Sequence, residues 1–346
     1  MIRRTTTNME NAIAAVFDHV NREEVVSYYG IKTEDLHYIG GFQNFIYEYQ
    51  VDNKEYIMRF TPSAHRTLSE VQAELEWILY LADHGISVSS PVPSIHRRWT
   101  ETTELEEMYF TAAVFDKAKG KKIDYPECLN DHELYERLGR LTGRMHALSK
   151  SYKPADVKIR RHEWTENYYL KNIDILPDSH TGVRERYLEL VRSIQKLPIS
   201  EDVYGLIHGD INNANYLVSE QGEITLFDFD EAQYSWFVED IAIQLYYLVY
   251  VYGGEEGKKL REDQASRFME PFLKGYREEN QLEDQWLKQM PLFLRLRELI
   301  VYIGAFRNFE GDETFSHSDN QWFKDWIRES KIRLETGEPI VNIWGN

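Results

Sequence analysis

Leu206-Ile207-His208-Gly209-Asp210-Ile211-Asn212-Asn213-Ala214-Asn215-Tyr216-Leu217-Val218, followed after one turn by Ile224-Thr225-Leu226-Phe227-Asp228-Phe229-Asp230, is the stretch on which the fold turns. It reads as a hairpin of two short apolar strands. Each delivers carboxylate or amide side chains to one end, and such groups hold divalent cations. Asp210 and Asn215 stand five residues apart, and Asp228 closes the next strand.

Outward from this stretch the chain changes character. Toward the C-terminus apolar residues recur at helical spacing over 131–149, 163–175, 183–196, 239–252, 261–280, 284–306 and 319–335. Toward the N-terminus the pattern is mixed. Residues 9–29 form a helical preface and Gly30 stops it. Leu36 to Ile39, Phe45 to Val51 and Tyr56 to Phe60 then read as strands, with Gly40-Gly41 and Asp52-Asn53-Lys54 as turns. Ser69 to His84 returns to helical period before Gly85, and Met108 to Phe115 is a buried-type strand. Lys117-Ala-Lys-Gly-Lys-Lys122 marks a junction. The expected organisation is an N-terminal lobe over 1–115, its preface spanning 1–35, and a mainly helical lobe over 116–346.

Composition narrows the function. A chain of 346 residues with 42% hydrophobic, 28% charged and 14% aromatic content is an ordinary globular protein, long enough for two lobes. Its formal charge of −18 disfavours nucleic acid or an anionic membrane as partner, since both require Lys and Arg to neutralise phosphates. The charge divides as −8 up to Phe115 and −10 beyond it. A uniformly acidic surface serves solubility and does not single out a cationic substrate. Cys128 is the one cysteine, so no intramolecular disulfide or multi-cysteine metal site is possible. The apolar run from Ile241 to Tyr252 contains Gln244 and is too short for a bilayer, which takes about 20 residues. With no secretory pattern at the N-terminus, the expected location is the cytoplasm.

His208-x-Asp210-x4-Asn215 has the spacing of the kinase catalytic loop, and Asp228 falls where the metal-binding Asp of Asp-Phe-Gly stands. On these motifs the chain resembles the aminoglycoside phosphotransferase and choline kinase superfamily, the small-molecule branch of the protein-kinase-like fold, over roughly residues 36 to 252. The resemblance extends to Gly40-Gly41-Phe42-Gln43-Asn44, similar to the family's nucleotide loop, and to Tyr56-Ile-Met-Arg59-Phe60, similar to its third strand with the phosphate-binding base. Glu74, with Ile78 and Leu81, resembles the acid that pairs with that base. Leu138 to His146 and Asp240-Ile-Ala also have family counterparts.

The resemblance implies an α+β, bilobal protein-kinase-like fold with an antiparallel-sheet N-lobe and a mainly helical C-lobe. It implies a phosphotransferase acting on an alcohol group of a small, amine-bearing molecule. ATP or GTP is the expected cosubstrate, with its phosphates near Gly40, Gly41, Asn44 and Arg59, its base along Ala112 to Phe115 (Ala113 and Phe115 in particular), and Glu74 on Arg59. Mg2+ falls to Asn215 and Asp228, and Asp210 is the expected catalytic base. Asp230 replaces the Gly of Asp-Phe-Gly, which reads as a further metal-site carboxylate or a surface acid. Asp228 and Asp230 are expected on one side of an extended strand. Two alternatives stay open, a protein kinase and a non-catalytic nucleotide-binding module. Gly209 stands where protein kinases carry Arg, and no Ala-Pro-Glu follows Asp228, which disfavours the first. Arg59 stands where many relatives use Lys, and its planar fork is not a point charge. Glu231, Trp236, Glu239 and Tyr246 are candidates to meet an amine, though most of them are expected to pack or face solvent. His146 and His208 read as structural, and Asp240 as a helix N-cap and loop anchor.

Overall fold

The structure is a computed structural model. It describes every residue except 1–6, 42, 106, 255, 308–310, 317 and 346, and only the backbone of 7–12. Phe42, from the expected nucleotide loop, therefore lies outside the described residues. The chain divides into two compact units. Unit 1 runs to Gly120 and also takes in Tyr152–Arg161 and Thr225–Asp230; unit 2 comprises Lys121–Ser151, His162–Ile224 and the chain from Glu231 on. The first break thus falls five residues beyond Phe115. Two segments assigned from sequence to the helical lobe belong to unit 1.

Unit 1 opens with α1 (Thr7–His19) and α2 (Glu23–Ser27), where the sequence suggested one preface helix. Its sheet is antiparallel and built from β1 (His37–Gly40), β2 (Phe45–Val51), β3 (Lys54–Pro62), β4 (Pro91–Val92), β5 (Glu101–Leu105) and β6 (Met108–Asp116). Strand order is β1-β2-β3-β6-β4, with β5 also on β6. Asp52 and Asn53 both take positive φ (50° and 63°), as a two-residue primed turn between β2 and β3 demands, and these residue types tolerate it best after Gly. In register, Arg59 of β3 faces Ile46 of β2 and Ala113 of β6. The preface supplies core to this sheet: Phe17 stacks on Phe45 at 3.8 Å between centroids and contacts Phe60 and Phe110. A fully buried Phe side chain contributes about 1.5–3 kcal/mol relative to exposure, so α1 is part of the fold and not an appendage.

The helix α3 (Leu68–Asp83) begins in a capping box, with the Thr67 side chain accepting from the Glu70 backbone N–H and Glu70 accepting from the Thr67 N–H. Val71, Leu75, Ile78 and Leu81 are buried along one stripe, and Glu74 is buried with them. A carboxylate on an apolar face requires a partner, and that partner belongs to the site.

Unit 2 is mainly helical: α4 (His132–Ser151), α5 (Tyr168–Lys171), α6 (Thr181–Ile194), α7 (Phe237–Val249), α8 (Gly257–Glu279), α9 (Asp284–Leu287), α10 (Met290–Ala305) and α11 (Gln321–Thr336). The helix expected over 284–306 breaks where Pro291 enters the first turn of α10, a position Pro favours. That expected over 163–175 is short turns around α5. Helices α4 and α8 approach closely because of glycines. A Cβ on Gly139 would stand 2.0 Å from the Phe272 carbonyl oxygen, and one on Gly275 2.0 Å from that of Glu136.

The opening stretch holds three strands where two were expected: β7 (Tyr204–Ile207), β8 (Tyr216–Val218) and β9 (Ile224–Leu226). Strand β7 pairs antiparallel with β10 (Gln233–Trp236) through Ile207↔Gln233. The residues between β7 and β8 are therefore a loop, and Asp210 sits on it.

Candidate active site

Unit 2 carries Asp210 and Asn215. The loop holding them is fixed from below by Asp240, whose carboxylate accepts the backbone N–H groups of His208 (3.0 Å) and Gly209 (2.8 Å) and meets His146 Nε2 at 3.2 Å. Asp240 lies within α7, whose cap is Trp236, so it anchors the loop but is not the N-cap. His146 is fully buried between Asp240 and the Tyr276 hydroxyl. Burial lowers the His146 pKa against the pull of Asp240 and favours a neutral ring. Burial also opposes ionisation of Asp240, yet His146 and the backbone donors hold its carboxyl below the ordinary range. His208 accepts the Asp210 N–H on Nδ1.

Gly209 has φ +80°, and a Cβ there would fall 2.2 Å from the Glu231 carbonyl oxygen. An Arg at this position is sterically excluded, which gives the physical reason for the departure from the protein-kinase pattern.

Asn215 donates both to the Asp210 carbonyl (2.9 Å) and to Asp210 Oδ2 (2.8 Å). Its amide nitrogen is thereby committed to Asp210, leaving the amide oxygen as the atom a cation can use. On the other oxygen, Arg297 of α10 donates to Asp210 Oδ1, and the same nitrogen donates to the Tyr247 hydroxyl at 2.6 Å. Burial pushes the Asp210 carboxyl up from the ordinary range, Glu231 adds to this, and Arg297 opposes it. Glu231 is half-buried and accepts from Asn167 at 3.0 Å. The other three candidates for an amine are core residues: Trp236 and Tyr246 are buried, and Glu239 is bonded to Ser235 and Gln233.

Unit 1 carries the remaining candidates. Gly40 and Gly41 take φ of +126° and +146°, and a Cβ on Gly41 would lie 1.8 Å from the Asn44 carbonyl oxygen. The turn before β2 is closed over its own backbone, with the Gln43 carbonyl held by His65 Nδ1 at 2.7 Å. Arg59 meets Glu74 in a two-bond fork (2.8 and 2.6 Å), both side chains buried, which supplies the partner that the apolar face of α3 demands. Burial opposes the Arg59 charge, but Glu74, Asp230 and Asp228 raise its pKa nonetheless. The Arg59 guanidinium also lies over the Phe115 ring at 5.2 Å.

Asp228 and Asp230 do not share a side. Strand β9 ends at Leu226, Asp228 turns into the left-handed region (φ 61°), and its side chain is exposed while Asp230 is buried. The alternation rule fails here because the backbone is no longer extended. Asp230 faces Arg66 at 3.6 Å, and its carbonyl accepts from Arg66 and Arg161. Burial opposes its ionisation, yet Arg66, Arg59 and Arg161 hold its carboxyl well below the ordinary range. Three arginines thus supply the countercharge that a metal ion would bring. Among the described residues no group of three or more His, Cys, Asp or Glu is clustered for a metal.

Sequence reading missed Arg66, Arg161 and Arg297. None of the three left a clear signal; Arg297 stands among Arg295 and Glu298 in the run Phe293 to Ile300 and is not singled out by pattern.

With the loop, the Arg59–Glu74 fork and Asp228 in place, likeness to known proteins becomes informative. Residues 38–285 match the phosphotransferase enzyme family. The chain belongs to that family. It is similar to the amicoumacin kinase of Bacillus subtilis (strain 168), 34% identical over 321 residues, 92% of each chain. Among solved structures it is similar to the amicoumacin kinase hAmiN in complex with AMP-PNP, Ca2+ and Ami, with a TM-score of 0.84 and 32% identity over 95% of this chain and 97% of that one. The microcompartment-associated aminopropanol kinase shares the fold at a TM-score of 0.70 and 20% identity, over 90% and 95% of the two chains. This member of the phosphotransferase family has the protein-kinase-like fold and is a small-molecule kinase that phosphorylates a hydroxyl. Among the described residues no helix is long and apolar enough to cross a membrane.

Proposed function

We propose that this kinase transfers the γ-phosphate of ATP, carried with Mg2+, to a hydroxyl of a small amine-bearing natural product, amicoumacin being the first acceptor to test. The observation that carries the reading is Asp210, held between Arg297 and Asn215 on a loop bolted to Asp240, in a chain 34% identical to an amicoumacin kinase. Asp210 orients the acceptor hydroxyl and receives its proton as the new bond forms. Phosphoryl transfer asks little covalent chemistry of the protein, so placement of this carboxylate is the main contribution of unit 2.

The residues present fit a cation and a nucleotide. Asn215 offers an amide oxygen and Asp228 an exposed carboxylate, both hard oxygen donors suited to Mg2+. A bound Mg2+ supplies neutralisation of the phosphate charge. Arg59 has a buried Nε without a hydrogen-bond partner among the described residues, in keeping with an anion beside it, and Gly40, Gly41 and Asn44 form the turn over the phosphates. The base lies along Ala113 and Phe115, and Asp230 serves the arginines and not the metal. Glu231 is a half-buried carboxylate whose charge acts on Asp210, and we assign it to the acceptor's amine.

The test is phosphotransfer with ATP and with GTP against amicoumacin, amino sugars and amino alcohols, read as phosphate ester by mass spectrometry. Product with ATP and amicoumacin, falling to a small residual rate in Asp210→Asn while nucleotide binding persists, is the expected result. Loss of nucleotide binding in that variant, with its fold intact, would sink the role given to Asp210.

A further inference from the structure

Asp210 is held on a loop, and loops do not by themselves fix a side-chain rotamer. Its carboxylate has two oxygens and about four lone-pair positions. Asn215 occupies one on Oδ2, and Arg297 one on Oδ1. The Asn212 side chain also donates to the carboxylate, and the remaining lone pairs are left for an incoming O–H. Arg297 is itself immobilised: its side chain is 7% exposed, it donates to the Tyr247 hydroxyl at 2.6 Å and weakly to the Gly209 carbonyl at 3.4 Å, and its guanidinium lies over the Tyr247 ring at 5.0 Å. Its backbone belongs to α10, a 16-residue helix. A rigid element therefore reaches across to the loop that carries the reactive carboxylate.

Ordinary core logic does not explain such a residue. Arg in the middle of an apolar helix face costs desolvation that a Leu or Met of similar volume would avoid. The fork is also underused, because its Nε is buried without a hydrogen-bond partner among the described residues. A bond bought at that cost by one carboxylate oxygen is explained by what it does to the carboxylate.

We infer that Arg297, with Tyr247 behind it, is a positioning residue for phosphoryl transfer that locks Asp210 in the rotamer presenting its remaining lone pairs to the acceptor hydroxyl. The inference rests on Asp210 as proton acceptor. Misplacing a catalytic group by about 1 Å costs roughly 10²-fold in rate, which sets the size of the effect.

The experiment is a double-mutant cycle between Arg297 and Asp210 with amicoumacin and ATP under single-turnover conditions, backed by crystal structures of the variants. Arg297→Met should lower the transfer rate about 10²-fold and leave nucleotide affinity within about twofold, and Arg297→Lys should restore roughly tenfold of the loss. In the Asp210→Asn background Arg297→Met should do nothing further, because residues that act as one unit are not additive. A loss that persists undiminished in that background marks a merely structural role and overturns the inference, as does wild-type turnover in Arg297→Met. If Arg297→Met fails to fold, Arg297→Lys runs the same cycle with a loss of about tenfold. The crystal structure of Arg297→Met needs no acceptor: an Asp210 side chain that keeps its rotamer and its Asn215 bond refutes the lock. Full turnover by Asp210→Asn alone would instead refute the reading of Asp210 on which the inference stands.

Discussion

Glu74→Leu is the perturbation whose size the structure fixes best. Glu74 is fully buried and makes both bonds of the fork to Arg59, which is 4% exposed. Removing the carboxylate strands a guanidinium that is always charged, and breaking a buried pair in this way costs about 3–5 kcal/mol. Asp228 and Asp230 soften the loss, since both attract Arg59, but Asp230 is already shared with Arg66 and Arg161. The lower half of that range, about 3–4 kcal/mol, is expected, and in thermal unfolding it appears as a fall of roughly 10 °C in the Tm of the transition containing unit 1. The double variant Arg59→Met/Glu74→Leu removes both charges and should recover most of the loss, because a hydrophobic pair of similar volume is often as stable as a buried ion pair. Calorimetry of the two single variants and the double variant, without nucleotide, completes the cycle. A single-variant cost below about 1 kcal/mol, or a double variant as unstable as the sum of the singles, would refute the reasoning.

Other expectations follow from particular residues. Burial raises the Glu239 carboxyl from 4.5 to about 7, against the bonds from Ser235 and Gln233. The folded state therefore holds a proton that the unfolded chain releases, and this stabilisation, complete below pH 4.5, fades as pH rises through 7. It amounts to about 3 kcal/mol, so denaturant melts of Glu239→Gln between pH 5 and 8 should show a flatter pH dependence than the wild type; parallel curves would contradict the assignment. Gly41→Ala places a Cβ 1.8 Å from the Asn44 carbonyl oxygen at a φ of +146°, so the turn must reshape. Strain of about 1–3 kcal/mol translates into a rise of roughly tenfold in nucleotide KM, and an unchanged KM would remove this turn from the nucleotide site.

The parts of the fold legible in the sequence were those set by neighbours in the chain. Phe45 to Val51 was read to the residue, because alternation ends at the Asp52-Asn53 turn. Helix α3 was visible from its stripe and from Gly85. Strand β5 was invisible because Glu101-Thr-Thr-Glu-Leu105 lacks an apolar face; its place is set by pairing with β6. At the site, spacing singled out Asp210, Asn215 and Asp228, since catalytic loops keep their groups within a few residues. The partners of these groups were not legible. Arg297 reaches Asp210 across 87 positions and Arg66 reaches Asp230 across 164, and no periodicity encodes such a contact. The surface-acid reading of Asp230 fails for the same reason, since the residue is buried among arginines from distant segments.

Unit 1 is discontinuous, and its last piece is Thr225–Asp230, gripped by Arg66 and Arg161. During synthesis the residues up to Gly120 leave the ribosome long before that piece exists, by on the order of ten seconds at about 5–20 residues per second. Through that interval Arg59, Arg66 and Glu74 are present without Asp230, and the buried cationic cluster has an unmatched charge. A fragment ending at Gly120 is thus an incomplete folding unit. Adding separate peptides spanning 152–161 and 224–231 should complement it, so the segment that carries Asp228, the metal ligand we propose, is also the closing piece of the unit.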